Sequence, residues 1–212
     1  MTPYYDRDGI TIWHGRCEDI LPSIDPAMVD LLLTDPPYGI SANLDYGRFT
    51  SGKTYGVAIE GDSAPFDPLP LLRFPRTCIF GANHFATSLP PRGQWIVWMK
   101  RGASPLLAAA ELAWHNLGGR SVDYFESTVK GMKVQEGAVH PTQKPSSLMR
   151  WIVEKHTEPG DLILDPYMGS GPVAQACHEL GRRYVGIELV EDYCRVAVSR
   201  LAQQTLDLEG MA

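Results

Sequence analysis

The apolar run VDLLL at residues 29–33 is the strongest constraint on the fold, because it stops abruptly at Thr34, Asp35 and two prolines. A short apolar run without alternation is typical of a strand buried on both faces of a parallel sheet. Six further strands are predicted, at residues 9–13, 76–80, 94–100, 121–128, 161–165 and 183–188. Helical segments separate most of these strands, so we expect an α/β, doubly wound sheet of seven strands.

The helical segments are recognised by their apolar periodicity and by their end signals. Helices are predicted at residues 105–117, 146–156, 172–180 and 190–204, with a short helix and turn at residues 17–24. Two polar segments, 39–66 and 117–139, are predicted as loops, and long loops in compact domains are usually lids or binding segments. We expect residues 1–212 to form one domain.

Composition and charge limit the kind of protein this is. Apolar residues make up 44% of the 212 residues and charged residues 21%, which is ordinary for a globular protein. The formal net charge of -6 argues against a protein that coats nucleic acid, since phosphate contacts need Lys and Arg. One local basic face is still compatible with this charge. The candidate patches are Arg48 with Lys53, Arg92 with Lys100 and Arg101, and Lys130 with Lys133.

Cysteine usage and hydropathy indicate the compartment. The four cysteines form no C-x-x-C pair, so we expect buried, reduced thiols rather than a disulfide or a metal site. No apolar run approaches the roughly 18 residues of a membrane span. The first residues, MTPYYDRDG, lack the layout of a secretion signal. We therefore expect a cytoplasmic protein.

The segment LILDPYMGSGPVAQA predicts a ligand site at a strand-to-helix turn. The strand ends in Asp165, and the turn holds Gly169, Ser170 and Gly171 directly before a helix. Glycines let the backbone turn tightly and approach a ligand, and a helix start offers unbonded N–H groups. Glu188 ends a strand 17 residues after Gly171. An acid at about that spacing binds ribose hydroxyls in dinucleotide folds, so a nucleoside-containing ligand is predicted here.

The segment TDPPYG predicts a second site. Asp35, Pro36 and Pro37 form a stiff, non-helical arm, because proline has a fixed φ and holds the preceding residue extended. The arm offers the Asp35 carboxylate and the Pro36 carbonyl as acceptors, and the prolines have no N–H donor. Two neighbouring acceptors suit an –NH2 group, and the Tyr38 ring beside them is suited to stack on a base.

Three segments together resemble a known family. TDPPYG, HPTQKP (residues 140–145) and DPYMGSG, with GIE after the last of them, are similar to the motifs of DNA amino-methyltransferases, which methylate adenine N6 or cytosine N4. The DPPY segment precedes the glycine segment by about 130 residues, as in the circularly permuted β group of that family. The resemblance spans residues 10–204.

The resemblance implies a Rossmann-like methyltransferase fold, S-adenosylmethionine as cofactor and DNA as partner. It implies cofactor contacts from Cys17, Lys144, Asp165, Tyr167, Gly169, Ser170, Gly171 and Glu188. It also implies that Asp35, Pro36, Pro37 and Tyr38 hold a flipped-out base for methyl transfer, with no metal. We expect the Tyr38 ring, rather than its hydroxyl, to matter most.

The sequence departs from the family pattern in a few places. Arg16 stands where an acid often lies near the cofactor's adenine, so the backbone of Cys17 or the Glu18 side chain is expected to replace it. Tyr167 and Pro172 stand where Phe and Thr are common. No long insertion supplies a target-recognition domain, so the loops at 39–66 and 117–139 are expected to read DNA. Such a chain is expected to read a few base pairs or to act as a homodimer.

Several functions stay open on the sequence alone. The acid before Pro-Pro-Tyr resembles the adenine-specific enzymes, and cytosine-N4 methylation is the alternative within the family. Methylation of RNA or protein is less favoured, because those relatives usually place the glycine loop first. An alternative of another class is a catalytically decayed DNA-binding or nucleotide-binding protein. A nicotinamide oxidoreductase is disfavoured, because it needs no DPPY segment.

Overall fold

The structure, a computed structural model, describes residues 2–40, 61–102, 108–128 and 144–209, with side chains described to residue 203. Within these residues the chain forms nine β-strands and four α-helices, with four short 3-10 turns. The chain divides into two compact units. Unit 1 holds residues 1–34, 73–77 and 142–212, and unit 2 holds residues 35–72 and 78–141.

Unit 1 contains five strands in the spatial order β1-β2-β9-β8-β3. Their bounds are β1 (Tyr5–Arg7), β2 (Ile10–His14), β3 (Leu31–Thr34), β8 (Leu162–Asp165) and β9 (Arg183–Glu188). β1 pairs antiparallel with β2, and the other pairs are parallel. All four residues of β3 are buried, as is typical of a parallel strand that is covered on both faces.

The helices of unit 1 are α1 (Cys17–Ile20), α2 (Ser146–His156), α3 (Pro172–Glu179) and α4 (Glu191–Glu209). α2 packs against α3, and α3 packs against α4. The apolar side of α2 consists of Leu148, Met149, Ile152 and Val153, and all four are buried. α3 begins with Pro172 at its first turn, where a missing N–H costs no helical bond.

Unit 2 contains strands in the order β4-β6-β5-β7. Their bounds are β4 (Thr77–Phe80), whose first residue is grouped with unit 1, β5 (Gln94–Arg101), β6 (Ala110–His115) and β7 (Val122–Thr128). β6 pairs antiparallel with both β4 and β5, and β7 pairs parallel with β5.

The predicted mixed α/β architecture is confirmed, and each of the seven predicted strands is present within two residues of its predicted bounds. Two strands, β1 and β6, were not predicted. The polar segments 39–66 and 117–139 lie partly outside the described residues, so their role as loops that read DNA stays a prediction.

The helix predicted over residues 105–117 is wrong, because residues 110–115 form strand β6. Alanine exceeds other ordinary residues in helix propensity by only about 0.7 kcal/mol or less per residue. β6 has hydrogen-bonded neighbours on both sides and buries Ala113, Trp114 and His115. Tertiary pairing therefore outweighs a local preference of that size. The Gly118-Gly119 pair is a turn held by Gln94, whose Oε1 accepts from Gly118 N at 3.0 Å.

Candidate active site

The carboxyl ends of four neighbouring parallel strands define one edge of unit 1. β2 ends at His14, β9 at Glu188, β8 at Asp165 and β3 at Thr34. The strand register pairs His14 with Glu188 and Asp165 with Gly186, so these ends are adjacent in space. Open α/β sheets bind ligands outside the carboxyl ends of their strands.

Asp165 is a buried carboxylate with several donors around it. Its side chain is 2% exposed. Thr34 Oγ1 donates to Asp165 Oδ1 at 2.7 Å, and the backbone N–H of Tyr167 donates to the same oxygen at 3.3 Å. The Tyr184 hydroxyl donates to Asp165 Oδ2 at 3.3 Å. Burial, and then the neighbouring Asp165 charge, raise the pKa of Tyr184 well above its ordinary value, so this hydroxyl keeps its proton.

The glycine turn, residues Asp165–Gly171, adopts a backbone that favours glycine at two positions. Gly169 has φ +56° and Gly171 has φ +79°. A Cβ on Gly171 would lie 2.8 Å from the Cβ of Ala197 in α4, whereas a Cβ on Gly169 would meet no atom within 4 Å. The turn is also bonded to β9, because Met168 N donates to Ile187 O at 3.0 Å.

Glu188 anchors the glycine turn by accepting backbone hydrogen bonds. Its Oε2 accepts from Gly169 N and its Oε1 from Val190 N, both at 2.8 Å. Burial raises the pKa of Glu188, although the hydrogen bonds from Val190, Gly169 and Leu189 act in the opposite direction. A carboxylate has about four acceptor positions, so an anchoring role is compatible with accepting hydroxyls from a ligand.

Cys17 and Tyr167 bring the start of α1 to the glycine turn. The two side chains are hydrogen-bonded, and burial is the main cause that raises the pKa of the Cys17 thiol to about 11. Burial also raises the pKa of Tyr167. The Cys17 thiol is therefore protonated at neutral pH and is a poor nucleophile. Arg16 forms an exposed 3.5 Å ion pair with Glu18, a type of contact that contributes little to stability.

Lys144 is 3% exposed and stands two residues before the first residue of α2. The start of α2 meets α3, because Ser146 Oγ lies 3.3 Å from Gln175 Oε1. α3 is the helix that follows the glycine turn directly, so Lys144 is connected through α2 to the same part of unit 1. The rest of the HPTQKP segment, residues 140–143, lies outside the described residues.

The Asp35–Tyr38 arm belongs to unit 2, and its side chains contact one another. The Tyr38 hydroxyl donates to Asp35 Oδ1 at 2.6 Å. The Tyr38 ring stacks on the His84 ring, with 5.2 Å between centroids and 17° between planes. Gly81, with φ +69°, lies against the ring, and a Cβ there would be 1.9 Å from Tyr38 Cε1. A residue larger than glycine at position 81 would therefore displace Tyr38.

The chain beyond the arm is held by Asp62. Gly39 N and Ile40 N donate to Asp62 Oδ1 at 2.8 and 3.3 Å, and Asp62 is 4% exposed. A Cβ on Gly39 would lie 2.3 Å from Ala64 O. The residues that directly precede the segment 41–60 are therefore in close contact with those that follow it. This contact fixes the C-terminal end of the arm.

Sequence reasoning missed several residues that organise these two segments: Thr34, Asp62, Gly81, Tyr184 and Arg200. Their neighbours along the chain do not identify their partners, because the partners are distant in the sequence. His84 is a further residue of this kind, because its ring stacks on Tyr38. Among these residues, Gly81 could have been suspected from the sequence, because a glycine directly after a buried strand often marks a close approach of another group.

The predicted basic patch at Arg92, Lys100 and Arg101 is partly neutralised. Lys100 forms an ion pair with Glu111, and Arg101 forms one with Glu126. Arg92 is exposed. The Lys100 side chain is only 13% exposed, whereas Arg101 is 72% exposed and its ion pair is of the weak surface kind. The other two predicted patches, at Arg48 with Lys53 and Lys130 with Lys133, lie outside the described residues.

Two smaller predictions concern the whole chain. All four cysteines are buried and free, which confirms the predicted reduced thiols. None of the helices described here is long and apolar enough to cross a membrane.

The fold has close counterparts among solved structures. The complex of M1.HpyAVI with S-adenosylmethionine superposes with a TM-score of 0.63 at 23% identity, over 90% of this chain and 99% of that one. The cytosine-N4-specific PvuII DNA methyltransferase superposes with a TM-score of 0.67 at 13% identity, over 93% and 88%. At these identities the likeness shows the fold alone, and that fold is the Rossmann-like fold of S-adenosylmethionine-dependent methyltransferases.

The sequence comparisons give the family. The DNA methylase model for N6 and N4 methyltransferases matches residues 90–199. The type II methyltransferase M2.DpnII of Streptococcus pneumoniae is 25% identical over 94% of this chain and 92% of its own length. The chain therefore belongs to the N6/N4 DNA methylase family. It is an S-adenosylmethionine-dependent DNA methyltransferase, as the three sequence motifs predicted.

Proposed function

We propose that the chain methylates the exocyclic N6 amino group of adenine in DNA. The observation that carries this proposal is the Asp35 carboxylate, which stands directly before Pro-Pro-Tyr as in the adenine-specific relatives and whose Oδ1 accepts from the Tyr38 hydroxyl at 2.6 Å. Thr34, the residue directly before the arm, donates to Asp165, the first residue of the glycine turn, at 2.7 Å. These two residues end the paired parallel strands β3 and β8 of unit 1.

The acceptors of the arm are proposed to activate the amino nitrogen. An exocyclic amine is a poor nucleophile, because its lone pair is delocalised into the ring. The Asp35 carboxylate and the Pro36 carbonyl would each accept one N–H of the amine, which favours a pyramidal nitrogen with a localised lone pair. Acceptors placed in advance stabilise the transition state more than the ground state. Asp35 then takes the proton that the nitrogen loses on methylation.

Tyr38 is proposed to stack on the flipped base. Extruding a base from a duplex costs a few kcal/mol, and stacking on an aromatic ring returns about 1–3 kcal/mol. In the structure His84 stacks on the Tyr38 ring, with 5.2 Å between the ring centroids. The hydroxyl of Tyr38 has a separate task in this proposal, because its bond to Oδ1 orients the Asp35 carboxylate.

The residues of unit 1 fit S-adenosylmethionine, which supplies an electrophilic methyl group on a sulfonium when it is bound. Asp165 is a buried acid at the first position of the glycine turn, and a carboxylate can accept hydrogen bonds from a ligand ammonium group. We propose that Asp165, Tyr167, Gly169, Ser170 and Gly171 hold the methionine end. Glu188 would accept from the ribose, Lys144 would face the carboxylate, and Cys17 would lie near the adenine.

Cytosine-N4 methylation is the alternative reaction for the same site. A cytosine-N4-specific enzyme is among the structures that share the fold. Asp35 favours adenine, because the cytosine-specific relatives more often carry Ser at this position. A decayed, non-catalytic DNA-binding protein is the alternative of another class. The chain retains the acceptors of Asp35 and Pro36 as well as Gly169 and Gly171, and their presence argues against this alternative.

The remaining proposals concern how the chain meets DNA. We propose that residues 1–212 act as one catalytic domain and that the segments 39–66 and 117–139 read the target in place of a separate domain. Action as a homodimer would supply a second set of these segments. DNA in the cytoplasm is the substrate expected for such an enzyme.

The test is analysis of the modified bases in DNA from cells that express the chain. Nucleosides from digested DNA are quantified by mass spectrometry, and the site is mapped by sequencing of modified bases. N6-methyladenine within a defined short sequence is expected. Cells that express an Asp35→Ala variant at equal level are the control. N4-methylcytosine instead would establish the alternative specificity, and no modified base above the control would contradict catalysis.

A further inference from the structure

Arg200 reaches from α4 to the middle of the glycine turn. Its Nη1 donates to both the carbonyl oxygen and the Oγ of Ser170, each at 3.0 Å. Ser170 is 3% exposed. Because one nitrogen bonds both the backbone and the side chain of Ser170, the contact restricts the orientation of its peptide group and its χ1 rotamer together.

α4 contacts the same turn at a second point. Ala197 lies one turn of helix before Arg200, and its Cβ would be 2.8 Å from a Cβ placed on Gly171. Residues three apart share a helix face, so α4 presents a small residue and then a long cation to consecutive residues of the turn. The close approach at Gly171 brings the helix near enough for Arg200 to reach Ser170.

The turn is therefore bonded on two sides. β9 bonds Met168 and Gly169 through Ile187 O and the Glu188 carboxylate. α4 bonds Ser170 through Arg200. Arg200 is half-buried, and this burial lowers the pKa of its guanidinium. A hydrogen bond from a charged group is stronger than one from a neutral group.

We propose that Arg200 is a positioning residue for the cofactor, one that holds Ser170 so that the glycine turn keeps the conformation that binds S-adenosylmethionine. The inference rests on the proposed cofactor role of the turn. Arg200 acts through Ser170 rather than on the cofactor itself. Its loss therefore weakens cofactor binding and leaves the affinity for DNA unchanged.

The experiment compares Arg200→Met with Arg195→Met. Methionine keeps an aliphatic stem in the half-buried position and removes both hydrogen bonds. Arg195 lies on the same helix, is exposed, and pairs with Asp192 at 2.7 Å, so its loss removes a charge from α4 without touching the turn. Calorimetric titration measures the Kd for S-adenosylmethionine, and steady-state kinetics separate KM for the cofactor, KM for DNA and kcat.

The expected result for Arg200→Met is a rise of about tenfold in both the Kd and the KM for S-adenosylmethionine, because both charged hydrogen bonds to Ser170 are lost and the turn is held less firmly. KM for DNA stays near the wild-type value, which a general loss of structure would not allow. Arg195→Met binds the cofactor like the wild type. Arg200→Lys restores part of the affinity, because an ammonium group can donate to the same two oxygens.

The outcomes separate the two proposals. A wild-type chain that binds no S-adenosylmethionine contradicts the proposed cofactor site itself. A wild type that binds, with Arg200→Met equally tight, overturns only the positioning role. If Arg200→Met does not fold, Arg200→Gln takes its place, since its amide is two atoms too short to reach both oxygens of Ser170. The same tenfold rise is expected for it, and an unchanged Kd overturns the inference.

Discussion

The glycine turn of unit 1 and the Asp35–Tyr38 arm of unit 2 are held by different kinds of atoms. The turn is fixed mainly through its backbone, because Gly169 N binds Glu188 and Ser170 O binds Arg200. The arm is fixed through its own side chains, because Tyr38 binds Asp35 and stacks on His84. The backbone contacts of the turn are retained when most of its side chains are changed. In the arm, by contrast, each side chain also orients the neighbouring side chain.

This difference predicts that changes in the arm act on the rate of methyl transfer and changes in the turn act on cofactor affinity and stability. The predictions below test that division, beginning with the largest effect. Each is measured on the purified chain with labelled S-adenosylmethionine and DNA that carries the mapped site.

Asp35→Ala is expected to lower kcat by a factor of about 10²–10³, the size seen when one placed transition-state contact is lost. The Kd for S-adenosylmethionine should stay near the wild-type value, since Asp35 is proposed to act on the base rather than on the cofactor. Incorporation of labelled methyl groups into DNA measures the rate. Near wild-type incorporation would refute the role of Asp35, and a large loss of cofactor affinity would break the proposed division.

Gly171→Ala and Gly169→Ala form a matched pair within the turn. Both place a Cβ at positive φ, which costs about 1–2 kcal/mol, but only the Cβ on Gly171 meets Ala197, at 2.8 Å. Overpacking adds about 1–3 kcal/mol, so Gly171→Ala should be the less stable variant.

Urea unfolding measures the stability of both glycine variants against the wild type. The loss of cofactor affinity should follow the same order, since α4 must move away from the turn to admit the new methyl group. Equal stability of the two variants would show that α4 does not approach the turn as closely as the structure indicates.

Tyr38→Phe is expected to lower kcat about tenfold, because it removes a hydrogen bond to a charged group. Tyr38→Ala should lose more, because the ring is lost as well. This expectation gives the hydroxyl a larger part than the sequence suggested, since the hydroxyl donates to Asp35 Oδ1 at 2.6 Å. A Phe variant with wild-type kcat would restore the simpler view that the ring alone matters.

His84→Ala should have the smallest effect. Aromatic pairs contribute about 0.5–1.5 kcal/mol beyond the area that they bury, so kcat should fall a few fold. His84→Phe keeps the stack and serves as the matched control, with activity near that of the wild type. If Phe and Ala lose activity equally, the imidazole itself is needed and stacking is not the reason.

Much of the fold was predictable, because its strongest elements have strong local patterns. The helix over residues 146–156 was predicted at its observed bounds, since its apolar residues recur on one face and Pro145 precedes it. Strand β6 was not predictable in this way. The segment AELAWH has no strand alternation, and only its two antiparallel neighbours make it a strand.

The candidate site likewise contains residues that the sequence predicted and residues that it did not. Asp165, the two glycines and Glu188 were predicted together, because parallel strands bring their carboxyl ends to one edge and the spacing of these residues follows that rule. Thr34, Tyr184 and His84 were not assigned their roles. The register of β3 against β8 places Thr34 beside Asp165, and no local sequence pattern encodes that register.

The sequence by itself determined the fold class, the family and the two segments proposed to carry the chemistry, because glycine and proline impose local backbone geometry and the acidic residues stand at characteristic spacings from them. Only the tertiary structure decided which side chains hold these segments. The hydrogen bond of Thr34 to Asp165, the stack of Tyr38 on His84 and the hydrogen bonds of Arg200 to Ser170 depend on distances between separate elements. Strand register and helix packing set those distances, and both are properties of the packed chain rather than of any stretch of it.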